Sequence, residues 1–215
     1  MNAIETPTPR IDELDLLASR VPLDGQRLIE LGCGAAGLAR RLVLRHAGAS
    51  VVGLEVDERQ HAKNLSSDAP AALRFMAGGA QAIPFPDARF DGALMLKSLH
   101  HVPMPLMDQA LAEVRRVLVP GGWLYVSEPV YAGALNEVMR LFNDEGVVRA
   151  AAQQALDRAI AAGGWRQAEE HRFEVPVRFT DYADFERRMV NVTFAERHFD
   201  DALRAAVRAR FEPHL

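Results

Sequence analysis

The stretch LIELGCGAAGLA, Leu28 to Ala39, carries Gly32, Gly34 and Gly37 at G-x-G-x-x-G spacing. The apolar run RLIEL precedes the glycines, and Leu38, Leu42 and Val43 follow at helical spacing. A strand-to-helix turn of this kind lets the backbone approach a ligand where a Cβ would clash. The helix amides then favour a polar or anionic group. The next apolar run, SVVGLEV, brings Glu55 to a strand end 21 residues beyond Gly34. An acid there accepts hydrogen bonds from both ribose hydroxyls of an adenosine-bearing cofactor. Loop and acid leave open whether that cofactor is a dinucleotide or a sulfonium. Glu30, two residues before the first glycine, bears on the choice. A carboxylate there would repel a pyrophosphate and suits a ligand with a positive ammonium.

These residues need elements to hold them. Apolar Ile11, Leu14, Leu17 and Ala18 predict a short N-terminal helix, ended by Pro22, Asp24 and Gly25. Glu58 to Ser66 reads as a helix, LRFMA as a third strand and FDGALML as a fourth. Leu106, Ala110, Leu111, Val114 and Leu118 share one helical face before Pro120-Gly121-Gly122 and the fifth strand, WLYVS. Strands alternating with helices imply βαβ units and a parallel sheet. Past Glu128 a long helical region, Ala134 to Ala162, is interrupted near Gly146; HRFEVPVRF is expected as a sixth strand, and helices near Tyr182–Val190 and Asp200–Phe211 follow.

Four motifs in order carry a family resemblance. LIELGCG resembles the first motif of class I S-adenosylmethionine-dependent methyltransferases, and VVGLEV their second strand. AIPFPDARFDGALMLKSLHHV is similar to their third segment, and EVRRVLVPGGWLYVSEP to their helix-to-fifth-strand signature. The likeness covers roughly Arg27 to Pro129 and lies nearest the small-molecule enzymes of the ubiquinone and menaquinone biosynthesis group. It implies a Rossmann-like, doubly wound, mostly parallel α/β sheet with S-adenosyl-L-methionine as cofactor. Glu30, Gly32, Cys33 and Gly34 would surround the methionine portion and Glu55 the ribose. Val56 would pack beside the adenine, Ala80 and Gln81 would meet its edge and face, and Lys97 and Ser98 would border the methionine and the transferred methyl. His100 and His101, just past the fourth strand, are the candidates for a base or for orienting a substrate hydroxyl.

The chain departs from the family pattern at three places. Ala36 fills the third glycine's place, with Gly37 one later, as if that glycine had moved. Gly79 stands where an Asp often accepts from the adenine amino group, so cofactor binding is expected to be weaker unless the backbone or Gln81 substitutes. No convincing seventh strand follows HRFEVPVRF, so that strand is missing or cut short; an exposed sheet edge favours pairing and hence a homodimer.

The rest bounds the expectation. A single domain is expected over residues 1–215: an N-terminal helix in 1–26, a cofactor core in 27–129, and a substrate-covering and C-terminal segment in 130–215. The 215 residues are 49% hydrophobic with formal charge -4, which argues against nucleic acid as main partner. No apolar run is long enough to span a membrane, and the acidic, mixed N-terminus lacks a secretory pattern, so a cytoplasmic protein is expected. One cysteine, Cys33, excludes an intramolecular disulfide. His171, His198 and His214 show no ligand spacing with carboxylates, and no metal is expected. Only two lysines among 25 basic residues, with abundant alanine, suggest a bacterial origin.

The expected activity is methyl transfer to a small-molecule acceptor, at oxygen or carbon rather than nitrogen, since no Asn-Pro-Pro-aromatic run ends the fourth strand. The alternative is a non-catalytic or regulatory protein of the same fold that binds the cofactor weakly. Asn136, Arg140 and Asn143, at i, i+4 and i+7, are expected on one helix face. Phe142, Trp165, Phe179 and Phe185 read as core or as a lid over an apolar acceptor.

Overall fold

The computed structural model describes residues 9–191 and 199–215. Among them, five strands form one sheet: β1 (Arg27–Leu31), β2 (Ser50–Glu55), β3 (Leu73–Ala77), β4 (Phe90–Leu96) and β5 (Leu118–Ser127). All pairings are parallel, in the order β3-β2-β1-β4-β5. The chain winds outward from β1 through β2 to β3, then returns to the other side of β1 for β4 and β5. The winding reverses between β1 and β4, and at such a point the strand ends part and leave room for a ligand.

Side chains alternate across the sheet, so neighbouring residues of β1 serve two cores. Ile29 and Leu31 face a layer made by α4 (Met107–Val117) and α6 (Gly146–Ala161), with Met107, Leu111, Val114 and Ala152 fully packed. Leu28 faces the opposite layer, α1 (Glu13–Ala18) and α2 (Gly37–Arg45), through Leu14, Leu17 and Leu42. Helix α3 (Glu58–Ser66) starts on Asp57, whose carboxylate accepts from the Arg59 amide.

The C-terminal third departs from expectation. HRFEVPVRF is not a strand; it makes one parallel bridge, Glu174 with Arg10, outside the sheet. Its half-exposed Val175 and Val177 show why: neither face of this segment buries enough apolar surface to hold it in a sheet. β5 therefore pairs with β4 alone among the described residues. The long helical region divides into α5 (Ala134–Met139) and α6. Because α5 ends at Met139, with Arg140 as its C-cap, Asn136, Arg140 and Asn143 do not share a helix face. Asn136 is buried and accepts from Arg149 instead. Phe142, Phe179 and Phe185 join a separate apolar cluster with α7 (Tyr182–Phe185) and α8 (Asp201–Phe211), whereas Trp165 packs on the sheet layer.

The pairing of β4 with β5 sets a sharp steric limit. Gly92 lies opposite Trp123, and a Cβ there would meet the indole at 2.3 Å. Gly92→Ala is expected to lower stability by about 1–3 kcal/mol through overpacking, read as a lower urea midpoint at unchanged slope. A variant as stable as the parent would contradict this packing.

Candidate active site

The glycine turn closes on two strand ends. Gly32, at φ +67°, is pressed against β4: a Cβ there would meet the Ser98 Cβ at 2.8 Å. The Cys33 amide donates to the Leu54 carbonyl at 2.9 Å, and the Gly34 amide donates to Glu55 Oε2 at 2.7 Å. Position 36 corrects the expectation of a moved glycine. Ala36 itself adopts the left-handed conformation, at φ +54°, and caps α2. Gly37 is simply the first helical residue, with open space where a Cβ would stand. The turn demands a left-handed residue at 36, and alanine meets the demand at a cost of roughly 1–2 kcal/mol. Lys97, at φ +57°, is strained in the same sense at the end of β4. Of three non-glycine residues with positive φ among those described, two thus border this turn, which is where stored strain tends to collect.

Glu30 dominates the electrostatics. It is 3% exposed, and its Oε2 has no hydrogen-bond partner among the described residues. Burial above all, then the charges of Glu13 and Glu55, push its pKa up to about 8, against the pull of Lys97. It lines a cavity of about 630 Å³ together with Glu13, Cys33, Arg41 and Lys97. Glu13 was not singled out from the sequence. It is buried, accepts from Lys97 Nζ at 2.9 Å, and leaves Oε1 without a partner among the described residues. The signal was present as an acid in the first turn of a buried helix, yet only the fold brings it opposite β4. Burial and the nearby carboxylates raise the Cys33 thiol pKa, so that sulfur packs as an inert side chain.

The other expected residues divide. Glu55 is buried and already accepts three backbone amides, from Gly34, Val56 and Asp57. Val56 is 65% exposed beside it, an uncovered apolar face. Ala80 is buried in the sheet's α4–α6 layer. The Gln81 amide fills the space where a side chain at 79 would begin, its oxygen 2.5 Å from the position of a Cβ on Gly79. Ser98 spends its hydroxyl on the Leu31 carbonyl at 2.6 Å and tethers β4 to the turn.

His100 and His101 differ in kind. His100 is 3% exposed; its Nδ1 contacts Glu128 Oε2, and its Nε2 lies 3.8 Å from Glu145 Oε2. Glu128 also accepts from the Leu99 amide, so His100 is held by a fixed carboxylate. His101 reaches solvent with its ring 4.1 Å from that of His100. Crowding by protein, then the neighbouring His100 charge, lower its pKa. His100, His101 and Glu145 bring ligand-type atoms within 4.8 Å of one another, the one grouping of metal-capable side chains found among the described residues. Glu145 is however already bound by Arg149 and Asn143, so the grouping closes as a hydrogen-bonded network. His198 lies outside the described residues.

The raised pKa of Glu30 has a thermodynamic consequence. Its ordinary value is near 4.5, so folding takes up a proton between there and about 8. The resulting stability is fully present below about pH 4.5 and is lost as pH rises through about 8. Denaturation at pH 5.5 and 8.5 should show the parent losing on the order of 3 kcal/mol more than Glu30→Gln, which cannot ionise. Parallel losses in both proteins would contradict the assigned environment.

Comparison with known proteins agrees with this geometry. Residues 29–126 match a family described as a methyltransferase domain. A 24-methylenesterol C-methyltransferase 2 of Oryza sativa subsp. japonica is 34% identical over 73% of this chain and 40% of its own length. A fatty-acid O-methyltransferase of Mycolicibacterium smegmatis is 36% identical over 52% of this chain and 40% of its own. The chain thus spans about two fifths of the length of these relatives. A solved methyltransferase structure from Thermotoga maritima superposes with a TM-score of 0.53 over 72% of this chain and 70% of that one; at 24% identity it speaks for the fold alone. No helix among the described residues is long and apolar enough to cross a membrane. With the switch-point cavity, the glycine turn and the buried carboxylates already in place, residues 29–126 carry a methyltransferase domain, and the chain is similar to the class I S-adenosylmethionine-dependent methyltransferases.

Proposed function

We propose that this protein transfers a methyl group from S-adenosylmethionine to a small-molecule acceptor, at oxygen or carbon. One observation carries the reading: Glu30 is a buried carboxylate that lines a cavity at the sheet's switch point and has one oxygen without a partner among the described residues. Such a group calls for a positive partner, and the cofactor's ammonium is one. The fit extends to Gly32, whose missing Cβ leaves the turn tight against Ser98, and to exposed Val56 beside Glu55. When bound, the cofactor supplies an electrophilic methyl group. The chain's task is then to orient the acceptor and exclude water.

His101 is the residue we assign to the acceptor's proton. Its lowered pKa keeps it neutral near pH 7, the form that accepts a proton. His100, fixed by Glu128, positions it from below. Gln81 we assign to the adenine edge, where it substitutes for a side chain at 79. Relatives that methylate a sterol carbon and a fatty-acid oxygen favour an acceptor with a large apolar part. The same reading includes a bacterial, cytoplasmic setting, no nucleic-acid partner, and a homodimer formed along the outer edge of β5.

The second reading is a non-catalytic or regulatory protein that binds the cofactor weakly. It draws on Glu55, whose oxygens already serve three backbone amides and must share them with a ribose.

Parallel thermal melts decide between these readings and a dinucleotide site. A ligand at a hundred times its dissociation constant adds about 2.7 kcal/mol. That raises the melting temperature of a chain this size by roughly 5–10 °C. S-adenosylhomocysteine and S-adenosylmethionine should both give this shift and NAD none. Stabilisation by NAD alone would overturn the proposal, and no shift at millimolar S-adenosylhomocysteine would favour the second reading.

A further inference from the structure

The cavity at Glu30 contains more charge than one buried acid. Glu13 reaches it from α1, Lys97 from the end of β4, and Arg10, Asp12 and Arg41 from its rim. Arg41 and Asp12 satisfy each other at 2.6 Å. Lys97 and Glu13 meet at 2.9 Å, but unequally: the Lys97 side chain is 48% exposed and that of Glu13 only 9%. Lys97 reaches this position from a left-handed backbone, at φ +57°.

Two residues that line this cavity each hold a buried oxygen without a partner among the described residues, Glu13 Oε1 and Glu30 Oε2. They come from different elements that line the same cavity, and the charge of Glu13 is the second cause of the raised Glu30 pKa. Buried acceptors are rarely left unpaired. A single ammonium brings three N–H donors and could serve both oxygens at once. The carboxylate attached to the same carbon would then need a cation, and Lys97 is already there. An ion pair with one partner half in water is weakly held and exchanges readily.

We propose that the Glu13–Lys97 ion pair stands in for the amino-acid zwitterion of the ligand and exchanges partners when that ligand binds. Glu13 joins Glu30 at the ammonium, and Lys97 turns to the carboxylate. This rests on the cofactor reading above and adds a selection rule. The site prefers nucleosides that carry an amino-acid tail, because only they replace both halves of the pair they break. A nucleoside without the tail leaves the Glu13–Lys97 pair closed and gains nothing from either residue.

Calorimetry with two ligands tests this. S-adenosylhomocysteine carries the tail; 5′-methylthioadenosine is the same nucleoside without it. Both are titrated into the parent, Glu13→Gln and Lys97→Met, with melting curves confirming that each variant is folded. Each substitution should weaken S-adenosylhomocysteine about tenfold or more, the worth of a charged hydrogen bond, and leave 5′-methylthioadenosine within about twofold. Lys97→Met, at a half-exposed position, keeps the test alive should Glu13→Gln fold poorly. Equal losses for both ligands would show that the pair merely builds the site, and unchanged affinities would show no role; either overturns the proposal. If 5′-methylthioadenosine binds the parent as tightly as S-adenosylhomocysteine, the nucleoside site stands and the exchange falls. If neither ligand binds the parent, the cofactor reading falls, and the exchange with it.

Discussion

A carboxylate buried without a complete set of partners is the constraint around which this site is organised. Glu30 sits in the middle of the sheet, on the central strand β1, where nothing else about the core needs a charge. Burial keeps it protonated near neutral pH, it lines the cavity at the ends of β1 and β4, and its Oε2 has no partner among the described residues. An apolar residue would pack there at less cost, so the fold carries an acid that only a cationic ligand completes. The neighbouring strain has the same direction. Ala36 and Lys97 hold left-handed conformations on either side of the turn, and Gly32 is squeezed against Ser98. Together they fix the turn close to Glu30 and Glu55.

Around that centre the division of labour follows from what each residue can still bond. Ser98 and Cys33 have spent their polar groups on β1 and β2, so they shape the turn and do not bind through those groups. Glu55 is engaged by three amides, which orients it and also limits what it offers a ribose. His100 is locked between Glu128 and Glu145, whereas His101 faces outward. The network continues through Glu145 to Arg149 and Asn136 and so joins the start of α6 to α5. Hydrogen bonds and ion contacts thereby link α5, the start of α6 and His100.

Much of this was legible in the residues, and the failures share a cause. RLIEL, SVVGLE and FDGALML are short, apolar and punctuated by glycine or by polar turns, so their strands could be read directly. HRFEVPVRF alternates weakly instead, and alternation reports a strand only when one face finds a core to bury in, which Val175 and Val177 do not. At positions 36 and 37, glycine's presence was taken for its use. Backbone conformation, which the sequence does not print, puts the strain on Ala36. Asn136, Arg140 and Asn143 were placed on one helix face, but the helix breaks between Met139 and Gly146. Glu13 was missed because its role exists only through contact with Lys97, 84 positions away. Gly79 was read as a lost hydrogen bond unless the backbone or Gln81 substitutes, and the Gln81 amide lies where a side chain at 79 would begin.

The central claim is that the cofactor's positive end completes Glu30. It is tested most directly by counting protons on binding. With a pKa near 8, Glu30 is largely protonated at pH 7 and must ionise to meet an ammonium. Calorimetric titrations of S-adenosylhomocysteine at pH 7, in buffers of different ionisation enthalpy, should therefore show release of roughly one proton per ligand, and the release should disappear in Glu30→Gln. Binding of the same affinity without proton exchange, or with undiminished release in Glu30→Gln, would contradict the account.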